Sequence, residues 1–85
     1  MKKSDAHPDA LRYQFGAALR WYRGEEHITQ EQLALRLEIT PRYAAGLERA
    51  EHNISLDTID AVAEKLGLSF TLTAGQRENQ QEQVS

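Results

Sequence analysis

The chain has 85 residues, a formal net charge of −3 and an isoelectric point near 5.5. A chain this short forms one domain with a thin core, which oligomerisation would help to stabilise. It has no cysteine, and its three histidines are scattered, which argues against disulfides and a zinc site. We expect no signal peptide, because no apolar stretch follows the lysines near the start, and the sequence has no run of about 18 apolar residues. We therefore expect a cytoplasmic protein with no membrane span, metal or cofactor.

The charge is unevenly distributed along the chain. Residues 1–23 hold five Lys or Arg against two Asp, which leaves +3, whereas residues 24–39 hold one Arg against four Glu, which leaves −3. Residues 40–54 are balanced, with Arg42 and Arg49 against Glu48 and Glu51. A local basic surface for nucleic acid is therefore compatible with the acidic total, but non-specific affinity should be weak.

Four helices are predicted in chain order. The first spans about residues 9–23 and is expected to end at Gly24, because its apolar residues recur at spacings of three and four. Each of the next three starts with a hydroxyl residue that can cap a helix and that follows an isoleucine: Thr29, Thr40 and Ser55. These caps predict helices at residues 30–37, 41–49 and 56–66, with Gly67 as the last stop.

The region after the fourth helix has a different pattern. Residues 68–73 alternate apolar and hydroxyl side chains, which predicts a short strand. Because a lone strand is unstable, we expect residues 68–74 to pair with a second copy through Leu68, Phe70 and Leu72. Residues 75–85 have one apolar residue and are expected to be a disordered tail, and residues 1–8 a flexible start. The predicted fold is an all-α compact domain of four to five helices with this dimerisation strand.

A helix-turn-helix is indicated by the short connection between the second and third helices. Only Glu38, Ile39 and Thr40 separate them, which forces a steep crossing that can place the later helix in a major groove. Helical periodicity puts Tyr43, Ala44 and Leu47 inward. The outward face then carries small and basic residues, Arg42, Ala45, Gly46 and Arg49, which permit close approach and pairing with guanine. Gln30, at the start of the second helix, can meet a phosphate or a base edge.

Several of these residues have plainer explanations. Arg42 and Arg49 can be solvated surface arginines, and Gln30 can be simply a good helix former. Asn53 fits a helix-ending residue as well as a phosphate contact. Leu35 lies off the apolar face of its helix and is either tucked under the first helix or part of an exposed protein-binding patch.

Two sequence runs resemble the phage-repressor/Cro-like (XRE) helix-turn-helix family. They are ITQEQLALRLEITPRY at residues 28–43 and GLERAEHNISLDTI at residues 46–59, within an ungapped similarity over about residues 11–67. The resemblance implies a lambda-repressor-like domain and a homodimer on a palindromic operator. Together with the residue pattern, it predicts a DNA-binding set of Thr29, Gln30, Thr40, Arg42, Tyr43, Ala45, Gly46, Arg49 and Asn53.

The sequence departs from the family pattern at four positions. Glu38 stands where a turn glycine is usual, so that residue should adopt a left-handed conformation or the turn should shift. Ala44 replaces a larger apolar residue, which should thin the core. Ala50 and His52 replace a usual glycine and a frequent arginine, which removes one positive charge near DNA.

The sequence favours a dimeric, operator-binding transcriptional regulator, a repressor or autorepressor, over two alternatives. The run from Leu66 to Thr73 and the glutamine-rich tail that follows it resemble the end of HipB-type antitoxins. This resemblance implies a cognate toxin as partner. A restriction–modification controller protein is the second alternative, because that group shares a run like Asn-Ile-Ser-Leu. An enzyme is disfavoured, since no catalytic constellation or phosphate loop is present.

Overall fold

A computed structural model describes residues 10–76, and within this range the chain forms four helices. They are α1 (Leu11–Glu26), α2 (Gln30–Leu37), α3 (Pro41–Glu48) and α4 (Leu56–Leu66). The predictions for α2 and α4 are confirmed, and α3 ends one residue earlier than predicted. No helix in the described range is long and apolar enough to cross a membrane. The predicted flexible start and nearly all of the predicted tail lie outside the described residues.

The three predicted hydroxyl caps all form. The Thr29 Oγ1 atom accepts a hydrogen bond from the Gln32 backbone N–H at 3.1 Å, and the Gln32 side chain accepts one from the Thr29 N–H at 2.8 Å. Thr40 and Ser55 accept equivalent bonds, each at 3.1 Å, at the starts of α3 and α4. These caps satisfy backbone donors that a helix start otherwise leaves unpaired, and they fix where α2, α3 and α4 begin.

The first helix is longer than predicted, because Gly24 does not end it. The chain continues to Glu26 and turns at His27, which adopts a left-handed conformation with φ 55°. The N–H of Ile28 then bonds to the Arg23 carbonyl at 3.1 Å, and the Ile28 side chain packs on the core. This closing contact decides the helix end, while a glycine inside a helix costs only about 1 kcal/mol.

Two further residues adopt left-handed backbone conformations without being glycine. Glu38, between α2 and α3, has φ 61°, so the first of the two predicted alternatives, a left-handed residue rather than a shifted turn, is the one that occurs. Ala50, after α3, also has φ 61°. Each carries a steric cost of roughly 1–2 kcal/mol relative to a normal backbone. The short turn between α2 and α3 therefore forms although Glu38, which has a side chain, occupies its left-handed position.

The core lies between α1 and the other three helices. Its buried members are Phe15, Leu19, Tyr22, Leu33, Leu37, Leu47, Val62 and Leu66. Ala44 is also fully buried, as its predicted inward position requires. The three isoleucines that precede the caps pack at the edge of this core. α2 and α3 contact each other closely and each packs on another helix, which holds the motif rigid.

The predicted strand is not present in the single chain. Residues 68–76 are irregular, and no strand occurs in the described range. Leu68 and Phe70 instead pack against the chain's own core, and the Phe70 ring lies 5.4 Å from the Phe15 ring, centroid to centroid. The alternating pattern fits packing on the chain's own core as well as it fits a strand. A strand does not form here because its ladder of hydrogen bonds requires a second backbone, and the single chain supplies none at this place.

Candidate nucleic-acid interface

The residues predicted to contact DNA come from the start of α2, from α3 and its cap, and from the loop after α3. Exposed side chains come from the two caps, from the first turn of α3, and from the residues after it: Thr29, Thr40, Arg42, Arg49 and Asn53. Gln30, Tyr43 and Ala45 are half-buried between them. We call the exposed side of α3 with Arg42, Ala45 and Arg49, together with Gln30, the reading face.

Gly46 differs from the other predicted contact residues, because it is buried. A Cβ atom at Gly46 would lie 2.4 Å from the Nε2 atom of His52. The imidazole of His52 therefore covers Gly46, and it also packs against the Tyr43 ring at a tilt of 48°, with 4.9 Å between ring centroids. The prediction that Gly46 lies on the open outward face is wrong. His52, which follows α3, takes that place on the surface.

A buried carboxylate, which the sequence analysis did not single out, holds the reading face in place. Glu48 is 4% exposed and accepts two hydrogen bonds from Arg23 of α1, from Nε at 2.6 Å and from Nη2 at 3.0 Å. Gln30 donates a third bond to it from Nε2 at 3.0 Å. Glu48 thus links α1, the start of α2 and the end of α3.

The electrostatics of this cluster follow from its geometry. The paired hydrogen bonds to Glu48 raise the pKa of Arg23 above its usual value, so the guanidinium stays charged. Gln30 has one amide hydrogen on Glu48, which leaves its carbonyl oxygen and second amide hydrogen for another partner. A side chain held at one end in this way loses less conformational freedom when it binds a base or a phosphate.

The same region depends on a close approach of α1 to α3. A Cβ atom at Gly16 would lie 2.6 Å from the Glu48 carbonyl oxygen and 2.8 Å from that of Leu47. Arg20, one turn further along α1, donates a hydrogen bond to the Glu48 carbonyl oxygen. Gly16 therefore allows α1 to reach the end of α3, where Arg20 and Arg23 both bind Glu48.

Arg49 is less available for a contact with DNA than its exposure indicates. It is the residue after the last turn of α3, and its guanidinium binds Glu51 through Nε at 2.7 Å and Nη2 at 3.2 Å. The hydrogen bonds to Glu51 raise the pKa of Arg49 and keep it charged. Arg42, in contrast, makes no hydrogen bond or ion pair with another described residue. Of the two predicted guanine-pairing arginines, Arg42 is therefore the freer.

The position of Glu48 could have been inferred from the sequence, whereas that of His52 could not. Glu48 lies four residues after the buried Ala44 and next to Leu47, on the inward face of α3, where an unpaired charge would be costly. Its position therefore required a basic partner from another helix. His52 precedes Asn53 in the loop that leads to α4, and only the fold shows that this loop turns back over Gly46.

Comparisons with known proteins place this geometry in a family. A model described as helix-turn-helix matches residues 19–72. The immunity repressor protein of Bacillus phage phi105 is 36% identical over 61 residues, which is 72% of this chain and 42% of that protein. The chain therefore spans less than half the length of that repressor. The control protein C.BamHI of Bacillus amyloliquefaciens is 32% identical over 59 residues, 68% of this chain and 73% of that protein.

Solved structures agree with this assignment. The clp gene regulator ClgR from Corynebacterium glutamicum matches with a TM-score of 0.62 and 35% identity, covering 71% of this chain and 78% of that one. A chain of the HipA-HipB-O2-O3 complex matches at 24% identity with a TM-score of 0.60, over 84% of this chain and 100% of that one, and shows the shared fold alone. The family model covers the second half of α1 and all of α2, α3 and α4. The chain therefore belongs to the helix-turn-helix family of phage-repressor-like, non-enzymatic DNA-binding proteins.

Proposed function

We propose that this protein is a sequence-specific regulator of transcription that binds a palindromic operator in double-stranded DNA as a dimer and represses by occluding a promoter. The supporting observation is the set of hydrogen bonds that Glu48 accepts from Arg23 and Gln30. These bonds hold the start of α2 against the end of α3 beneath the reading face. A helix whose orientation is fixed in advance loses little freedom when it enters a major groove. The names of the relatives, a repressor and a control protein, agree with this role.

The contacts divide into positioning and base recognition. In this proposal Arg42 and Arg49 pair with guanine edges, and the half-buried Ala45 between them in sequence would let the helix axis come close to the bases. Thr29, Thr40 and Asn53 are exposed around this face, and with the free N–H groups at the helix starts they suit phosphate oxygens. His52, whose ring packs against that of Tyr43, adds a polar ring at the edge of the same surface.

A dimer is required by the small size of this surface. One copy offers only two arginines at its reading face, and one of them is bound to Glu51. Two copies on half-sites about one helical turn apart would double the contacts and match an inverted repeat. Pairing of residues 68–73 across the two-fold axis remains part of this proposal, since a second backbone would supply the ladder partner.

The test begins with selection of binding sites from a pool of random duplexes, followed by fluorescence anisotropy on the selected duplex at several salt concentrations. Arg42→Ala should weaken binding by about 1–3 kcal/mol and relax the preference at one base position in each half-site. Arg36→Ala is the matched control, because Arg36 lies near the far end of α2 and binds Glu26 and Tyr22. If no duplex is enriched, or if Arg42→Ala binds like the wild type, the proposed function is wrong.

A role as a restriction–modification controller is the second candidate, because C.BamHI is similar over 73% of its own length. That role uses the same reading face, so the DNA-binding test does not separate the two. An adjacent gene for an endonuclease or methyltransferase would favour the controller. An antitoxin role instead predicts a toxin that co-purifies with the chain in stoichiometric amounts.

A further inference from the structure

A lysine of α4 contacts the turn of the helix-turn-helix motif, at the opposite end of α2 from its Thr29 cap. The Nζ atom of Lys65, in the last turn of α4, donates a hydrogen bond to the Leu37 carbonyl oxygen at 3.0 Å. The same Nζ atom lies 3.6 Å from the Oε1 atom of Glu38. Lys65 therefore joins α4 to the place where α2 ends and the turn to α3 begins.

The hydrogen bond to Leu37 matters more than the ion pair with Glu38. Carbonyl groups in the last turn of a helix have no partner within the helix, and they carry its partial negative charge. The Leu37 carbonyl is one of these, and the Lys65 ammonium both bonds to it and offsets that charge. The Glu38 side chain is 78% exposed, and such a surface ion pair contributes little.

The contact falls at a strained place in the backbone. Glu38 is held at φ 61°, a left-handed conformation that residues other than glycine adopt at a cost. Its N–H bonds back to the Leu35 carbonyl at 3.1 Å, and the Ile39 N–H bonds to the Ala34 carbonyl at 3.0 Å. These backbone bonds close the end of α2, and Lys65 adds an anchor from a different helix. The turn is therefore held both by α2 itself and by α4.

The position of Lys65 along the chain links this turn to the segment proposed to pair between two copies. α4 ends at Leu66, Gly67 turns the chain at φ 68°, and residues 68–73 follow at once. In a dimer that pairs through residues 68–73, the path from the two-fold axis to each reading face runs through α4 and the α2–α3 motif. Looseness between α4 and the end of α2 would therefore change the distance between the two reading faces.

We propose that Lys65 is a positioning residue that fixes the α2–α3 motif against α4 and thereby sets the half-site spacing that a dimer accepts. In this role Lys65 acts through the Leu37 carbonyl and the turn, without touching DNA. The inference rests on the proposed function for the dimer and its operator. It names the contact that holds the two reading faces at a fixed distance and orientation.

The test uses three duplexes that carry the selected inverted repeat with its spacer unchanged, longer by one base pair or shorter by one. Anisotropy titrations of the wild type should show a strong preference for the selected spacing, because one base pair turns a half-site by about 35° around the duplex. In Lys65→Met this preference, measured as a ratio of dissociation constants, should fall about fivefold, the effect of one lost hydrogen bond. The ratio cancels the uniform loss of affinity that follows from removing a positive charge.

Two variants control for charge and for local structure. Lys65→Arg keeps the charge and a donor that can reach the Leu37 carbonyl, so it should keep the spacing preference. Glu64→Met changes the charge of the neighbouring exposed residue of α4 and should keep it as well. A spectroscopic measurement locates the effect: the carbonyl ¹³C resonance of Leu37 should move in Lys65→Met, which lacks the hydrogen-bond donor, and stay in place in Glu64→Met.

The outcomes that contradict the inference differ from those that contradict the proposed function. If the wild type prefers one spacing and Lys65→Met keeps the full preference, the inference is wrong while the proposed function stands, even if the variant unfolds at a lower urea concentration. An equal fall in Glu64→Met would also overturn the inference. The Lys65 side chain is 39% exposed, so these substitutions leave the buried core intact. A wild type that selects no inverted repeat would overturn the proposed function and this inference together.

Discussion

Replacing either member of the Arg23–Glu48 pair should destabilise the protein, but by unequal amounts. Arg23→Met leaves a carboxylate that is 4% exposed without its cation, and such an orphaned buried charge costs about 3–5 kcal/mol. Glu48→Gln keeps the shape of the side chain and leaves Arg23, which is 27% exposed and can turn to water. That change should cost about 1–3 kcal/mol, the range for a lost hydrogen bond to a charged group.

These costs are large for a chain of this size, whose whole stability is about 4–13 kcal/mol. With about 4–8 °C of melting temperature per kcal/mol, Arg23→Met should lower Tm by at least about 12 °C. The assay is urea and thermal unfolding followed by circular dichroism at low protein concentration. Glu51→Gln, which removes an exposed carboxylate, is the control and should leave the unfolding midpoint unchanged.

The double variant Arg23→Met with Glu48→Gln completes the cycle. It leaves no buried charge, so its loss of stability should be smaller than the sum of the two single losses by more than about 1 kcal/mol. The reasoning is refuted if Arg23→Met costs no more than Glu48→Gln, or if the two losses add within about 0.5 kcal/mol. Either result would mean that the carboxylate reaches water in solution.

Three further predictions concern single residues. Gly16→Ala should cost about 1–3 kcal/mol in unfolding experiments because its Cβ meets the Glu48 carbonyl, whereas Gly24→Ala, with nothing within 4 Å, should stabilise by about 0.4–1 kcal/mol. Glu38→Gly should raise the free energy of unfolding by up to about 1 kcal/mol, because glycine tolerates φ 61°, and no gain would show that the turn is unstrained. Glu51→Gln should free Arg49 and tighten operator binding with a steeper salt dependence, and unchanged anisotropy titrations would contradict that role for Arg49.

The elements that could be predicted from the sequence are those that depend on near neighbours. The caps at Thr29, Thr40 and Ser55 each use a bond to a residue three positions on, so their pattern was visible directly. The left-handed conformation of Glu38 was one of two alternatives indicated by the glycine that is usual at this position in the family. These local signals fixed the register of α2, α3 and α4, and with it the side of α3 that carries Arg42.

The features that escaped prediction depend on contacts between distant parts of the chain. The end of α1 is set by burial of Ile28 in a core built mainly from other helices, which outweighs the glycine at Gly24. Burial of Glu48 depends on Arg23, 25 residues earlier. The alternation at residues 68–73 does not show whether its apolar side faces a partner strand or, as for Phe70, the chain's own core.

The distribution of paired charges explains why dimerisation and DNA binding should be coupled. Arg23 is bound to Glu48 and Arg49 to Glu51, so Arg42 is the one arginine of the reading face that is free without rearrangement among the described residues. One copy alone then gains little binding free energy from neutralising phosphates. In a dimer, binding of the first reading face holds the second at a high effective concentration near its half-site. Leu72→Asp, in the segment proposed to pair between two copies, and Arg42→Ala should therefore weaken operator binding by different routes. The loss in Leu72→Asp should recover as protein concentration is raised, because mass action restores the dimer, while the loss in Arg42→Ala should persist at every concentration at which that variant is dimeric.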